Sequence, residues 1–116
     1  APLDDRYHHP LQYSIDSTRY EIDPKTLEIF DRTVEIIRNK GCKLIVVISP
    51  KYIEYIYPSP IQKICEERNI LFLDNSGLGE FMKNEVYFKD VNHLNAHGAD
   101  VYTQYFIQQL KKLNII

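Results

Sequence analysis

Lys43-Leu44-Ile45-Val46-Val47-Ile48-Ser49 is the stretch on which the fold turns. Residues 44–48 are all apolar, and four of the five are β-branched. Such a run reads as a strand buried on both faces, and strands of that kind belong to parallel sheets covered by helices. Pro50 ends it, because proline cannot donate to a ladder. Ahead of the strand, Asp23 reads as an N-cap and Pro24 as the first helical residue, where a missing N–H costs nothing. Leu27, Phe30, Val34 and Ile37 follow at spacings of three, four and three, one apolar helical face. Arg38 and Lys40 suit the negative end of the helix dipole, and Gly41 suits a left-handed stop. A helix over 24–40 therefore precedes a strand over 43–49.

Downstream the pattern repeats. Ser59-Pro60-Ile61-Gln62 combines a capping-box spacing with proline at the first helical position. Ile61, Ile64 and Cys65 form the apolar stripe, and Asn69 is a natural stop. Ile70-Leu71-Phe72-Leu73 reads as a second buried strand, closed by Asp74-Asn75. About twenty residues separate the strands, enough for a right-handed βαβ crossover. Residues 75–94 read as loop, with Phe81 and Met82 packing and a short strand expected over 86–88. Asn95 caps a last helix whose stripe is Ala99, Tyr102, Phe106, Leu110 and Leu113. The order predicts the back half of a doubly wound α/β sheet over 23–116. Residues 1–22, with Tyr7, Tyr13, Tyr20 and the pair His8-His9, predict an extended arm.

The 116 residues suffice for one domain. Apolar residues make up 44% and charged residues 26%, a globular composition. A formal charge of −2 argues against nucleic acid as a partner, which calls for a basic surplus. No apolar run approaches the roughly 18 residues of a membrane span. Two cysteines make neither a disulfide framework nor a metal-ligand spacing, and both are expected to pack as small apolar residues. The chain opens on Ala1 rather than Met and shows no signal peptide, which predicts a processed product or a piece of a longer protein.

The chemistry concentrates in Phe88-Lys89-Asp90-Val91-Asn92-His93-Leu94-Asn95-Ala96-His97-Gly98. Asp90 and His93 stand three apart in a loop that feeds a helix. The loop can fold back so that the carboxylate meets the imidazole Nδ1–H, which fixes the tautomer and frees Nε2 to take a proton from a nucleophile. Asn95, capping the next helix, puts the histidine on a short tether, as a general base requires. His93 and His97 invite a zinc reading, but the cap between them leaves His93 outside the helix, so they need not share a face.

Asp-x-x-His followed by Leu-Asn-x-x-Gly and an aromatic-rich amphipathic helix resembles the C-terminal motif of the SGNH hydrolases, also called GDSL-type esterases. The matching positions are Asp90, His93, Leu94, Asn95 and Gly98. Residues 24–50 are similar to the segment preceding that motif in bacterial cell-envelope members. The resemblance implies a partial three-layer α/β/α, flavodoxin-like sheet with parallel strands. It implies an esterase or acyltransferase acting on a small-molecule or glycan ester, with Asp90 as orienter and His93 as base, no cofactor, and a cell-envelope or secreted setting. The family's Gly-Asp-Ser nucleophile is absent: Ser14, Ser17, Ser49, Ser59 and Ser76 all lack that context. The serine is therefore expected outside this chain. Ser49 ends a strand, where α/β sites form, but it precedes a proline and lacks a strand-to-helix elbow. With Tyr52 it is the candidate substrate contact. The alternative is a non-catalytic binding or scaffolding module that keeps the fold without a nucleophile. Two strands alone make a marginal sheet, so a homo-oligomer through the exposed sheet edge or faces is expected.

Overall fold

The computed structural model describes residues 22–53 and 59–116. The arm expected over 1–22 lies, save for Ile22, outside these residues. The described chain is mixed α/β. It runs α1 (Pro24–Asn39), β1 (Ile45–Ile48), α2 (Pro60–Glu67), β2 (Leu71–Asp74), a 3-10 turn (Glu85–Tyr87), β3 (Phe88–Asp90), β4 (His93–Leu94) and α3 (Ala96–Lys112). It divides into two compact units, residues 22–48 with 59–74 and residues 49–53 with 75–116.

In the first unit β1 and β2 pair in parallel, with Ile45 opposite Leu71 and Ile48 opposite Asp74, as the βαβ spacing predicts. The three α-helices among the described residues end in the same way. Gly41, Asn69 and Asn114 adopt left-handed backbone, with φ of 72°, 55° and 57°. At each end the N–H of that residue and the one after it reach back to carbonyls of the last turn: Gly41 to Arg38 and Cys42 to Ile37, Asn69 to Glu66 and Ile70 to Cys65, Asn114 to Lys111 and Ile115 to Leu110. Glycine and asparagine are the residues that tolerate this conformation.

The helix starts differ from expectation in detail. Asp23 holds the cap position of α1 without a side-chain cap bond; its carboxylate instead accepts from the Thr26 hydroxyl at 3.3 Å. Ser59 does cap α2, accepting from the Ile61 N–H, but Gln62 does not close the box and turns to Glu66 at 3.3 Å. An i,i+4 partner on the same face competes with the reach back to the cap.

Val34, Cys65 and Ile70 are buried together, with Phe30, Leu44, Val46, Ile61 and Phe72 packed around them. Each fully buried large side chain is worth about 1.5–3 kcal/mol. The Arg68 guanidinium grips Asp31 through Nε and, at 3.1 Å, through Nη2, so α2 is clasped to α1. That hydrogen bond holds the Asp31 carboxyl below its usual range. The pair is solvent-facing, where ion pairs contribute little; packing carries the stability and the pair sets orientation. Two expectations fail here. Val47 is 40% exposed, because alternate residues of β1 face opposite ways and only Val46 turns to the packed side. Cys42 is exposed too, lying just past the Gly41 stop, whereas Cys65 is buried and burial pushes its thiol pKa up.

In the second unit Phe81 and Phe88 are fully buried, surrounded by Tyr52, Leu78, Tyr87, Val91, Leu94, Val101 and Tyr102. The strand expected over 86–88 begins only at Phe88. Residues 85–87 coil into a 3-10 turn because the Asn84 side chain accepts from the Val86 N–H, and Val86 has no apolar surface to meet. Of the predicted α3 stripe, Tyr102, Phe106 and Leu110 are half-buried, whereas Ala99 and Leu113 are exposed. Val101 packs in their place. Asn75, 2% exposed, is fully bonded: it donates to the Tyr102 hydroxyl and Gln109 Oε1, both at 2.9 Å, and accepts from Gln109 Nε2 at 3.1 Å. A buried amide so satisfied ties the loop after β2 to the middle of α3.

Candidate functional site

The site is a hairpin of minimal length. β3 and β4 pair antiparallel, Phe88 opposite Leu94 and Asp90 opposite His93, with an irregularity between Phe88 and Asp90. Val91 and Asn92 make the turn. Asp90 shapes it through its own side chain, since Oδ1 accepts from the Asn92 N–H at 2.9 Å. An aspartate bonded two residues on is an Asx turn.

The turn brings His93 back over Asp90. Nδ1 lies 2.8 Å from Oδ1 and 3.0 Å from Oδ2. The Asp90 side chain is 17% exposed and that of His93 is 72% exposed. Burial alone would raise the Asp90 pKa. The Asn92 N–H and the His93 imidazole outweigh it and hold the carboxyl below its usual range. An ionised carboxylate only accepts, so the hydrogen between the two groups sits on Nδ1. In the neutral ring that leaves the lone pair on Nε2, facing solvent.

The depressed Asp90 pKa has a defined sign in stability. Between the folded value and the unfolded value of about 3.9, the unfolded chain binds more protons, so stability rises with pH there. The contribution is present above about pH 4 and is lost as pH falls through the folded pKa. We expect Asp90→Ala to lower the urea midpoint at neutral pH, with the gap to the parent chain narrowing on acidification to about pH 2. A gap of constant size across that range would show that the carboxylate charge is not what the fold uses.

Asn95 fixes where this hairpin meets α3. Its Oδ1 accepts from the Gly98 N–H at 2.8 Å, which caps the helix as predicted. Its Nδ2 donates to the Val86 carbonyl at 2.8 Å, and its own N–H donates to the Tyr87 carbonyl at 2.9 Å. Gly98 completes the junction: a Cβ there would lie 2.1 Å from the Tyr87 oxygen. Leu-Asn-x-x-Gly thus has a physical content that reading the sequence missed. The asparagine holds two successive carbonyls, and the glycine makes room for one of them.

The other candidates fall elsewhere. Ser49 is exposed directly after β1, and no hydrogen bond among the described residues joins it to Asp90 or His93. Tyr52 is half-buried, its ring edge-on to Phe88. His97 lies against Tyr87 with ring centres 5.3 Å apart. Among the described residues, no three His, Cys, Asp or Glu side chains come together as metal ligands do.

A scan against protein-family models, a search of curated proteins and a search of solved structures each find no match to this chain.

Proposed function

We propose that the chain is the C-terminal part of an SGNH-type serine esterase or acyltransferase, with Asp90 and His93 as the orienter and base of its triad. The observation that carries this reading is the ionised Asp90 carboxylate 2.8 and 3.0 Å from His93 Nδ1, with Nε2 left toward solvent. In this reading a serine outside the chain gives its Oγ proton to Nε2 as Oγ attacks the ester carbonyl carbon. The imidazolium returns that proton to the departing alkoxide, leaving the acyl group on the serine. Water or an acceptor hydroxyl, deprotonated by the same Nε2, then releases the acyl group. We take the substrate to be an ester or acyl group carried on carbohydrate, and the setting to be the cell envelope or the exterior. No cofactor enters the scheme. The fold that goes with it is the three-layer α/β/α, flavodoxin-like sheet, with upstream strands or a second copy of the chain covering the free edges of β1 and β2.

The test begins with the coding sequence upstream of Ala1. It should encode Gly-Asp-Ser, and the protein carrying that segment should be labelled on this serine by a fluorophosphonate. The 116-residue chain by itself should hydrolyse p-nitrophenyl esters no faster than background. An upstream region without such a serine leaves the binding or scaffolding module as the reading. A phosphonate adduct on Ser49 would place the nucleophile inside the chain.

A further inference from the structure

The turn that carries Asp90 and His93 is held from outside its own hairpin. A two-stranded antiparallel pair this short is marginal in water, and its turn needs a second anchor to keep one geometry. The anchor comes from the residues after β1. Pro50 is fully buried and fixes the chain's direction. The Lys51 N–H then donates to the Ser76 carbonyl at 3.4 Å, and the Tyr52 N–H donates to the Val91 carbonyl at 3.0 Å. Val91 is the first residue of the turn. The Tyr52 ring meets Phe88, the first residue of β3, with centres 5.8 Å apart and planes at 72°. Phe88 is itself fully buried. Tyr52 therefore touches the hairpin on both sides of Asp90, by backbone at 91 and by side chain at 88.

We propose that Tyr52 is a positioning residue for the Asp90–His93 pair. Its ring on Phe88 sets the height of β3, and its N–H on Val91 sets the tilt of the turn. Together they bring the carboxylate under Nδ1. The ring does this through apolar contact, in an edge-to-face arrangement typically worth about 0.5–1.5 kcal/mol beyond area burial. This role differs from the substrate contact expected of Tyr52. Its consequence for catalysis rests on the function proposed above; the contact and its effect on the ring tautomer do not.

The experiment reads that tautomer directly. The chain is labelled with 15N-histidine, and His93 is followed by long-range proton–nitrogen correlation at a pH where the ring is neutral. The parent chain should show the Nδ1–H form. Tyr52→Ala should lose it, with exchange of the ring N–H at least about tenfold faster. Tyr52→Phe, which keeps the ring on Phe88, should retain it. Retention of the Nδ1–H form in a folded Tyr52→Ala chain would overturn the proposal, and so would equal loss in Tyr52→Phe. If Tyr52→Ala does not fold, amide exchange in the parent chain decides: the Tyr52 N–H and the His93 ring N–H should open together. A Tyr52 amide exchanging at the rate of an unprotected amide would then sink the proposal. A parent ring lacking the Nδ1–H form would instead remove the dyad, and with it the proposed function.

Discussion

Gly98→Ala is expected to destabilise the chain by about 1–3 kcal/mol, although alanine is the better helix former by about 1 kcal/mol. The reason is the atom it would meet. A Cβ at this position lies 2.1 Å from the Tyr87 oxygen, 2.9 Å from its carbonyl carbon and 3.0 Å from its Cα. All three are backbone, so no side chain can swing aside. Nor can the Tyr87 carbonyl withdraw freely, because it accepts the Asn95 N–H at 2.9 Å. Moving it leaves that pair unmade, at about 1–3 kcal/mol. It also pulls on the Val86 carbonyl held by the Asn95 side chain at 2.8 Å. The cheaper escape is for α3 to start later, which gives up the Asn95 cap, a contribution of about 1 kcal/mol. Every relaxation therefore costs as much as the propensity gain or more. Urea denaturation of the two chains gives the difference; a variant as stable as its parent would mean that the Tyr87 carbonyl does not run against α3.

The same junction shows what the sequence discloses and what it hides. Helix ends were legible, because Gly41, Asn69, Asn95 and Ser59 act within one turn of themselves, and their chemistry does not depend on distant chain. The parallel pairing of β1 and β2 was legible from apolar runs a crossover's length apart. The dyad was legible for the same local reason: Asp90 reaches His93 across two residues. The extent of burial was not. Whether Val47 is covered depends on a second sheet face, and no property of Val47 itself reports that. The 3-10 turn at 85–87 was hidden because its cause, Asn84 on one side and Asn95 on the other, is split across the hairpin. The contact of Gly98 with Tyr87 was hidden likewise. A glycine in the first turn of a helix reads as a weak helix former until a carbonyl eleven positions back is seen against it.

If the proposed function holds and a serine upstream completes the triad, Asp90→Asn should slow its acylation by about 10³-fold, approaching the loss in His93→Ala. A positioned general base contributes about 10²–10⁴-fold, so His93→Ala sets the ceiling. Asparagine comes near that ceiling because of what each carboxylate oxygen does here. Oδ1 accepts from the Asn92 N–H at 2.9 Å, and an asparagine keeps its carbonyl oxygen there. Its amide nitrogen then stands where Oδ2 stood, 3.0 Å from His93 Nδ1. The kept oxygen, 2.8 Å from Nδ1, can still accept from an Nδ1–H, but the amide nitrogen is a donor set against that hydrogen and the charge that favoured it is gone, so the ring shifts toward an unprotonated Nδ1. The proton moves to Nε2, the nitrogen that must be empty to receive the serine proton. The hairpin keeps its bonds, since an asparagine oxygen still accepts from the Asn92 N–H and the Tyr52–Val91 bond is between backbone groups. The Asp90→Asn, His93→Ala double variant should be no slower than His93→Ala alone, because the aspartate acts only through the imidazole. The rate of fluorophosphonate labelling measures all three. An Asp90→Asn protein labelled within about threefold of the parent would show that the carboxylate does not set the tautomer, and would leave His93 without its orienter.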